Sequence, residues 1–465
     1  MNSVDAETAE YRAVLDELAR RGRFGIRLGL ARTRALLREL GEPDVTLRGA
    51  LIAGTNGKGS VQQIVASVLR CAGHRVGQTP SPHLTSYRER IVVDGAPIGG
   101  EAFTLLLREV LAAAERVAPR LGHPTEFEIL TPAAFAFFAR SGVEVGVIEV
   151  GIGGRLDATN AWDGGVAVVT NVGWDHADRL GPTIPAIARE KAAIIKPGNI
   201  CVTGATGEGL EVVRGRVSDV RAQLVETAPL EVLGMGRLGL QVAAPGLGEL
   251  RLGLLGRHQA ANAAVALETI RALAQRDIVD APDEAIRDGF SAVRWPGRLE
   301  LLTLGGDGSV SEGASAALGA RGANSVDLVL DGAHNRDGAD ALAAALDELA
   351  DALSPGEPTL LLGVMADKDI SAIVDRFLDS PYLRRAHVLA TQLDSPRALA
   401  ASDLAAAWQA HGGPGAPASV GATESVAAAL EAGIEGALRR GGPLIVAGSL
   451  YLIGEVRGRL GLGLS

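Results

Sequence analysis

A glycine-rich segment with one lysine, GTNGKGS at 54–60, carries the most recognisable chemistry of this chain. Glycines let backbone N–H groups approach phosphate oxygens, a lysine reaches the terminal phosphates, and a hydroxyl can touch Mg²⁺. An apolar run at 50–53 precedes the segment and a helical stretch follows from Val61, which favours a nucleotide site over a structural turn. The predicted nucleotide-binding residues here are Gly54, Thr55, Asn56, Gly57, Lys58, Gly59 and Ser60.

Polar side chains also follow later apolar runs. Glu149 ends the run VGVIEV, and a carboxylate buried there needs a cation or several hydrogen-bond donors. His176 follows the run at 166–170, where chemistry alone favours a structural histidine because Mg²⁺ prefers oxygen ligands. Lys191 follows Glu190, and the simplest interpretation of that pair is a surface ion pair on a helix. The residue types alone do not decide which roles these candidates have.

The elements that position these side chains alternate between strands and helices. Apolar strands are predicted at 145–150, 166–170 and 200–203, with helices at 101–118, 130–141 and 184–195 between them, typical of a mostly parallel sheet. Residues 223–256 have short Leu/Val runs with many glycines and predict a β-rich insertion. After the Pro-Gly break at 296–297 the alternation restarts with strand 326–331, helix 337–352, strand 359–364, helix 369–378 and strand 386–390, and closes with strand 444–447 and a helix from Leu450.

The sequence therefore predicts an α/β protein of two domains. The first, residues 1–296, is a P-loop-type, mostly parallel sheet domain with the β-rich insertion. The second, residues 297–465, is a smaller Rossmann-like α/β domain. Loops are expected at 305–324 and 412–421, which are rich in Gly, Ala and Ser.

Composition narrows the class of protein. A formal charge of −10 argues against nucleic-acid binding, and no apolar stretch is long enough for a membrane span. The N-terminal residues lack the pattern of a secretory signal, and only two cysteines occur. We therefore expect a cytoplasmic protein whose main function is not nucleic-acid binding.

Several motifs together resemble folylpolyglutamate synthase/dihydrofolate synthase of the Mur ligase superfamily. Besides GTNGKGS, they are SPHL with ERI, EVGIGGRLDATN, EKAAIIKPG, HQAANA, WPGRLE, DGAHN and SLY. Each is weak alone, but they follow one another in the family's order from about residue 25 to residue 457. The chain departs from the family at Ala193, which replaces a usual glycine, and at Trp174.

The resemblance implies roles for individual residues. Two Mg²⁺ ions are expected, with Lys191 carbamylated by CO₂ so that it resembles a carboxylate; the implied metal ligands are Ser60, Ser81, Glu149, His176 and Lys191. Lys58, Lys191 and His334 would take part in catalysis. ATP would also contact Asn262, Arg298 and Asp331. The folate pocket would comprise Ile26, Arg27, Leu28, Thr125, Phe127, Leu156 and Asp157. Glutamate would contact His334, Ser449 and Tyr451.

The function implied by the resemblance is ATP-dependent ligation of L-glutamate to a folate or dihydropteroate carboxylate through an acyl phosphate, by a monomer. Two alternatives remain open. One is a Mur ligase acting on UDP-linked peptidoglycan precursors, although only about fifty residues precede Gly54, too few for the expected UDP-binding domain. The other is a nucleotide-binding regulatory protein without catalysis, which the joint presence of Lys58, Glu149, His176 and Lys191 disfavours.

Overall fold

The structure is a computed structural model in which residues 9–22, 29–174, 177–312, 324–410 and 418–463 are described. The described residues form two compact units. The first comprises those of Met1–Leu230 and Ala261–Ala292, and the second those of Glu231–Ala260 and Val293–Ser465. Within the described residues, no helix is long and apolar enough to cross a bilayer.

An eight-stranded sheet forms the centre of the first unit. Its strand order is β4-β3-β2-β5-β1-β6-β7-β8, and all neighbours are parallel except those involving β3 and β4. Strand β5 is buried along its whole length, which explains why VGVIE carries no alternation of polar and apolar residues. The strands are β1 (Arg48–Ala53), β2 (Val76–Thr79), β3 (Val92–Val93), β4 (Ala96–Pro97), β5 (Val145–Glu149), β6 (Gly165–Val169), β7 (Ile200–Thr203) and β8 (Gln223–Glu226).

Helices cover this sheet and bury its apolar side chains. The main core joins α4 and α5 to β1, β5 and β6, with the rings of Phe135 and Trp162 5.5 Å apart. Burial of each large side chain contributes about 1.5–3 kcal/mol. The helices are α1 (Ala9–Gly22), α2 (Ala31–Glu39), α3 (Lys58–Cys71), α4 (Gly100–Leu121), α5 (Glu126–Arg140), α6 (Ala177–Leu180), α7 (Ile184–Ala192), α8 (Gly207–Val220), α9 (Gln259–Gln275) and α10 (Asp283–Ala292).

The predicted site segments follow four neighbouring strands and lie at one edge of the sheet. In the parallel registers Thr79 is aligned with Ile148, Ile52 with Glu149, and Ala53 with Val169. The segments that follow β2, β5, β1 and β6 therefore leave the sheet side by side at its carboxyl edge. In open α/β sheets this edge is where ligands bind.

The second unit contains a seven-stranded sheet, ordered β13-β12-β14-β18-β15-β16-β17, in which only the pairs made by β12 are antiparallel. Its strands are β12 (Glu300–Gly305), β13 (Val310–Glu312), β14 (Ser325–Leu330), β15 (Thr359–Leu362), β16 (His387–Thr391), β17 (Ser419–Thr423) and β18 (Leu444–Ala447). Its helices are α11 (Arg336–Leu349), α12 (Ile370–Asp379), α13 (Ala401–Ala410), α14 (Val426–Arg440) and α15 (Leu450–Arg459).

A three-stranded antiparallel sheet also belongs to the second unit: β9 (Glu231–Gly236), β10 (Gly239–Ala244) and β11 (Gly248–Leu252). Met235 packs against the core of this unit. Arg237, in the β9–β10 turn, donates to Asp327 at 2.6 Å and to the Ala352 carbonyl at 2.9 Å, and both side chains of the ion pair are buried.

The predicted α/β class with mostly parallel sheets is confirmed, but the domain limits differ from the expected 1–296 and 297–465. The second unit begins at Val293 rather than at residue 297, and it includes Glu231–Ala260. The physical reason is the buried contact of Arg237 with Asp327, which ties the β-rich insertion to β14. Residues 223–226 of the predicted insertion instead form β8 of the eight-stranded sheet.

Candidate nucleotide and metal site

The phosphate loop connects β1 to α3 and turns through two glycines. Gly57 is the N-cap of α3 and adopts φ +82°, a left-handed conformation that favours glycine. A Cβ atom added to Gly57 would lie 2.1 Å from Oδ1 of Asn262, so the buried Asn262 of α9 is in close contact with the loop. Ser60 is buried in the first turn of α3, where the backbone N–H groups of a helix start favour anions.

Two lysines meet at one backbone carbonyl of this loop. Lys191, in the last turn of α7 and 3% exposed, donates from Nζ to the Gly54 carbonyl at 2.8 Å. Lys58 donates to the same oxygen at 3.1 Å and to the Thr55 carbonyl at 3.3 Å. The structure thus brings together two of the residues predicted from separate motifs, and it places both ammonium groups at the phosphate loop.

Glu149 and Ser81 lie together at the ends of adjacent strands. The Ser81 backbone N–H donates to Oε2 of Glu149 at 3.1 Å, and Glu149 is 4% exposed. The following loop keeps its shape through Glu89, which accepts hydrogen bonds from the backbone N–H groups of Leu84, Thr85 and Ser86 at 2.6–2.8 Å. The glutamate of the ERI motif therefore has a structural role.

A buried carboxylate beside a serine supplies the oxygen ligands that Mg²⁺ prefers, so these two residues fit the implied metal. Among the described residues, no group of three or more His, Cys, Asp or Glu side chains is clustered as a metal site. His176, the expected histidine ligand, lies outside the described residues.

Four of the residues predicted to bind the acceptor, Thr125, Phe127, Leu156 and Asp157, are among the described residues. Thr125 is the N-cap of α5, and Phe127 follows in the first turn. The Phe127 ring lies against Gly151, where an added Cβ would be 2.8 Å from Cζ of the ring. Leu156 accepts a hydrogen bond from the Gly29 N–H at 3.3 Å. Ile26, Arg27 and Leu28 lie outside the described residues.

Asp157 stabilises the loop after β5. Its carboxylate accepts hydrogen bonds from the backbone N–H groups of Gly151, Ile152 and Thr159 at 3.0–3.1 Å, and from the Thr159 hydroxyl at 2.6 Å. Burial raises the pKa of the Asp157 carboxyl, and these hydrogen bonds oppose the increase. The structure therefore gives Asp157 a clear structural role beside the expected folate contact.

In the second unit, Arg298 and Asp331 are neighbours. Asp331 follows β14 and accepts hydrogen bonds from the N–H groups of Leu299 at 2.6 Å and Ala333 at 2.8 Å. Burial raises the pKa of Asp331, and the positive charge of Arg298 opposes the increase. A Cβ on Gly332 would lie 2.6 Å from Nη1 of Arg298, so the guanidinium lies close against this glycine.

The three predicted glutamate-binding residues also lie in the second unit. His334 donates from Nδ1 to the Gly332 carbonyl at 2.7 Å, because a carbonyl can only accept. Ser449 is buried as the N-cap of α15 and accepts from the Tyr451 N–H at 3.1 Å. Tyr451 is 57% exposed, unusually high for a large aromatic side chain.

Thr170 and Asn171, which follow β6, are contact residues that the sequence does not predict. Both residues hydrogen-bond the phosphate loop. The available signal was their position after an apolar strand, next to the histidine motif. Nothing in the sequence indicated that they contact the loop rather than a ligand.

Comparison with known proteins places this geometry in context. The Mur ligase middle domain family matches residues 52–227, and the family of the dihydrofolate synthetase C-terminal domain matches residues 317–461. The chain is 34% identical over 400 residues to dihydrofolate synthase/folylpolyglutamate synthase of Bacillus subtilis, which covers 82% of this chain and 85% of that protein.

Two further similarities extend over nearly the whole chain. A probable bifunctional folylpolyglutamate synthase/dihydropteroate synthase of Haloferax volcanii is 35% identical over 463 residues, 96% of this chain, which spans only 50% of that longer protein. A crystal structure of Mycobacterium tuberculosis folylpolyglutamate synthase complexed with ADP and AMPPCP has a TM-score of 0.82 and 32% identity, covering 98% of this chain and 99% of that chain.

The fold and the phosphate loop, with these matches, define an ATP-dependent ligase of the Mur ligase class. Within that class, the chain belongs to the dihydrofolate synthase/folylpolyglutamate synthase family. The resemblance identified in the sequence is confirmed.

Proposed function

We propose that this enzyme joins the amino group of L-glutamate to the carboxylate of a folate or dihydropteroate acceptor, with hydrolysis of ATP to ADP and phosphate. The observation that carries the proposal is the meeting of Lys58 and Lys191 at the Gly54 carbonyl, on the sheet edge that also holds Glu149 and Ser81. This arrangement suits a polyphosphate beside a carboxylate that is to be activated.

The reaction proceeds in two steps. An oxygen of the acceptor carboxylate attacks the γ-phosphorus of ATP, the bond from that phosphorus to the β,γ-bridging oxygen breaks, and an acyl phosphate and ADP form. The neutral amine of glutamate then attacks the acyl carbon. The resulting tetrahedral intermediate expels phosphate and loses the amine proton to give the amide.

The chain's own residues mainly position groups and neutralise charge. Lys58 binds the terminal phosphates and stabilises negative charge that develops during transfer, with the N–H groups at the start of α3. Ser60, Ser81, Glu149 and His176 would hold Mg²⁺, two ions in our proposal. When bound, Mg²⁺ supplies Lewis-acid stabilisation of the phosphoryl oxygens.

Lys191 is proposed to be carbamylated and to serve as a further metal ligand. Only the neutral amine reacts with CO₂, and both burial and a nearby ammonium group disfavour the charged form of an amine. Lys191 is buried, and Lys58 binds the same carbonyl oxygen. Loading with ¹³CO₂ should give a carbamate ¹³C resonance that disappears in Lys191→Arg; an identical spectrum in both proteins would exclude the modification.

The second unit is proposed to bind nucleotide and glutamate. Arg298 can bind phosphate oxygens through two donors. Asp331 and Asn262 are also proposed to contact ATP. His334, Ser449 and Tyr451 would bind glutamate. Their support is the placement of His334 after β14 and of Ser449 and Tyr451 after β18, adjacent parallel strands of the second sheet.

The acceptor is proposed to bind near Thr125, Phe127, Leu156 and Asp157, with the segment Ile26–Leu28. The aromatic ring of Phe127 on the backbone of Gly151 suits a flat pterin or aminobenzoyl ring. We further propose that the enzyme acts in the cytoplasm and without nucleic acid, as expected from its two cysteines and its charge. The family resemblance implies that it acts as a monomer.

A direct assay tests this function. The purified protein is incubated with ATP, Mg²⁺ and L-glutamate, together with either dihydropteroate or tetrahydrofolate, and ADP and the glutamylated product are measured. We expect ADP release that requires both glutamate and one of these acceptors. Lys58→Met should reduce kcat about a hundredfold or more, because a charge-stabilising donor is lost.

The two acceptors separate dihydrofolate synthase activity from folylpolyglutamate synthase activity, and turnover of both indicates a bifunctional enzyme. ADP release only with UDP-linked peptidoglycan precursors would instead establish a Mur ligase. ATP binding without turnover of any acceptor would establish the regulatory alternative. Either result would refute the proposed function.

A further inference from the structure

The segment that follows β6, residues 170–173, holds the first half of the phosphate loop by hydrogen bonds. The Thr170 hydroxyl donates to the Asn56 carbonyl at 2.6 Å. Oδ1 of Asn171 accepts from the N–H groups of Asn56 at 2.9 Å and Thr55 at 3.2 Å, and the Asn171 carbonyl also accepts from the Thr55 N–H at 3.2 Å. The N–H groups of Thr55 and Asn56 and the carbonyl of Asn56 are thus all bonded to this segment.

The Thr55 side chain completes the connection. Its hydroxyl donates to the Gly173 carbonyl at 3.1 Å and accepts from the Gly173 N–H at 3.0 Å. A Cβ on Gly54 would lie only 1.8 Å from Oγ1 of Thr170, so the two chains are in direct contact there. Thr55 and Thr170 are each 5% exposed, which keeps water from competing for these hydrogen bonds.

These contacts determine which backbone N–H groups of the phosphate loop can bind a phosphate. In a phosphate loop, consecutive backbone N–H groups usually point at the anion. Here the N–H groups of Thr55 and Asn56 are directed to Asn171 instead. The amides left for phosphate therefore begin at Gly57, where α3 starts and Lys58 extends from the first turn.

We infer that Thr170 and Asn171 are positioning residues for ATP: they hold Gly54–Asn56 in the one conformation that presents Lys58 and the start of α3 to the terminal phosphates. The inference rests on the proposed ATP site and adds two residues to it. Neither residue is required to touch the nucleotide, because both act through the loop.

Two variants remove the contacts separately. Thr170→Val keeps the shape of the side chain but removes the hydroxyl, and Asn171→Leu removes the acceptor. Loss of such a hydrogen bond should weaken ADP binding and raise KM for ATP about tenfold, with KM for glutamate unchanged. Thr170→Ser, which keeps the hydroxyl, should restore nucleotide binding to near the wild-type level.

Thr104→Val is the matched control. Thr104 is also 5% exposed, and its hydroxyl also bonds a backbone carbonyl, that of Gly100 at 2.8 Å, but it lies in α4. It should lower thermal stability without changing the affinity for ADP. All variants are measured by calorimetric titration of the full chain with ADP, by steady-state kinetics and by thermal unfolding.

The inference is overturned if Thr170→Val and Asn171→Leu bind ADP like the wild type, or if Thr104→Val weakens ADP binding as much as they do. If one of these variants does not fold, ADP binding by the other variant alone tests the inference. Failure of the proposed function would give a different result. The wild type would then bind ADP normally, but it would form no ADP from ATP in the presence of glutamate and either acceptor.

Discussion

At the residue scale, the sequence identified most candidate side chains, whereas their partners could be found only in the structure. Lys58 and Lys191 lie 133 positions apart, and no local pattern indicates that both donate to the Gly54 carbonyl. Asp157 and Glu89 were part of recognisable motifs, but hydrogen bonds to loop amides explain them. A motif shows that a residue type is needed at a position, and only the contacts show whether a ligand or the backbone needs it.

Lys196 provides a pH-dependent prediction at this scale. Its ammonium group donates to the carbonyls of Asn160, at 3.1 Å, and Trp162. Burial lowers its pKa to about 8, with the charge of Arg34 acting in the same direction and that of Asp163 opposing it. Between pH 8 and pH 10.5 the unfolded chain therefore holds a proton that the folded chain has released, so this residue's contribution to stability increases with pH there.

Urea unfolding of wild type and Lys196→Met at pH 7 and pH 9.5 measures this contribution. The unfolding free energy of the wild type minus that of Lys196→Met should be about 2 kcal/mol larger at pH 9.5 than at pH 7. Each pH unit between the folded and the unfolded pKa contributes about 1.4 kcal/mol. Lys368→Met, which removes a lysine paired with Asp367 in the second unit, is the control. Identical shifts for the two variants would contradict the prediction.

At the scale of elements, fully buried apolar strands were predictable and strands of mixed burial were not. Residues 200–203 and 444–447 are strands as predicted, because all four residues of each are buried. Strands β12 and β17 were missed: β12 has a pattern of half-buried residues, and SVGAT in β17 lies in a segment whose Gly, Ala and Ser content resembles a loop. Their strand conformation comes from pairing with β14 and β16, which no local pattern encodes.

The contact between α2 and α5 supports a prediction at the scale of elements. Arg32 donates from Nε to both oxygens of Glu128, at 3.0 and 2.9 Å, and Glu128 also accepts from the Thr125 N–H at 2.9 Å. The ion pair therefore connects the start of α2 to the capped end of α5, beside Phe127. Arg32→Ala leaves a buried carboxylate without its cation and should destabilise the protein by about 3 kcal/mol.

Steady-state kinetics should show a higher KM for the pterin acceptor in Arg32→Ala, with KM for ATP unchanged, because only the proposed acceptor site beside Phe127 loses its support. Arg38→Ala, an exposed position on the same helix, should leave both values as in the wild type. An increase in KM for ATP equal to that for the acceptor would show that Arg32 supports the fold in general.

At the scale of the whole molecule, the sequence predicted two α/β units and their order, because the Pro-Gly break and the restart of the alternation are local features. It could not assign the β-rich insertion, since its place depends on Arg237 and Asp327, 90 positions apart. Short Leu/Val strands bury one face only and can pack against either unit. The contact that decides between them is a single buried ion pair.

Arg237→Ala tests this assignment. Removing one partner of a buried ion pair typically lowers the free energy of unfolding by about 3–5 kcal/mol. Because Asp327 keeps its hydrogen bonds from Ser354, we expect a loss of about 3 kcal/mol. Hydrogen exchange should increase in β9–β11 and β14 and stay unchanged in β1–β8. Arg214→Ala removes an exposed ion pair with Glu226 and should leave the unfolding free energy close to that of the wild type. Faster exchange confined to the eight-stranded sheet would contradict the assignment.

Because Glu231–Ala260 belongs to the second unit while Ala261–Ala292 returns to the first, the polypeptide passes between the units three times. Recombination between homologous genes at a single breakpoint would therefore always split at least one of them. A cut at residue 296 would take Arg237 from one parent and Asp327 from the other, so that the buried ion pair would have to form between residues of different parents. Productive exchange of a whole unit requires at least three junctions, so descendants of this architecture are expected to inherit both units together.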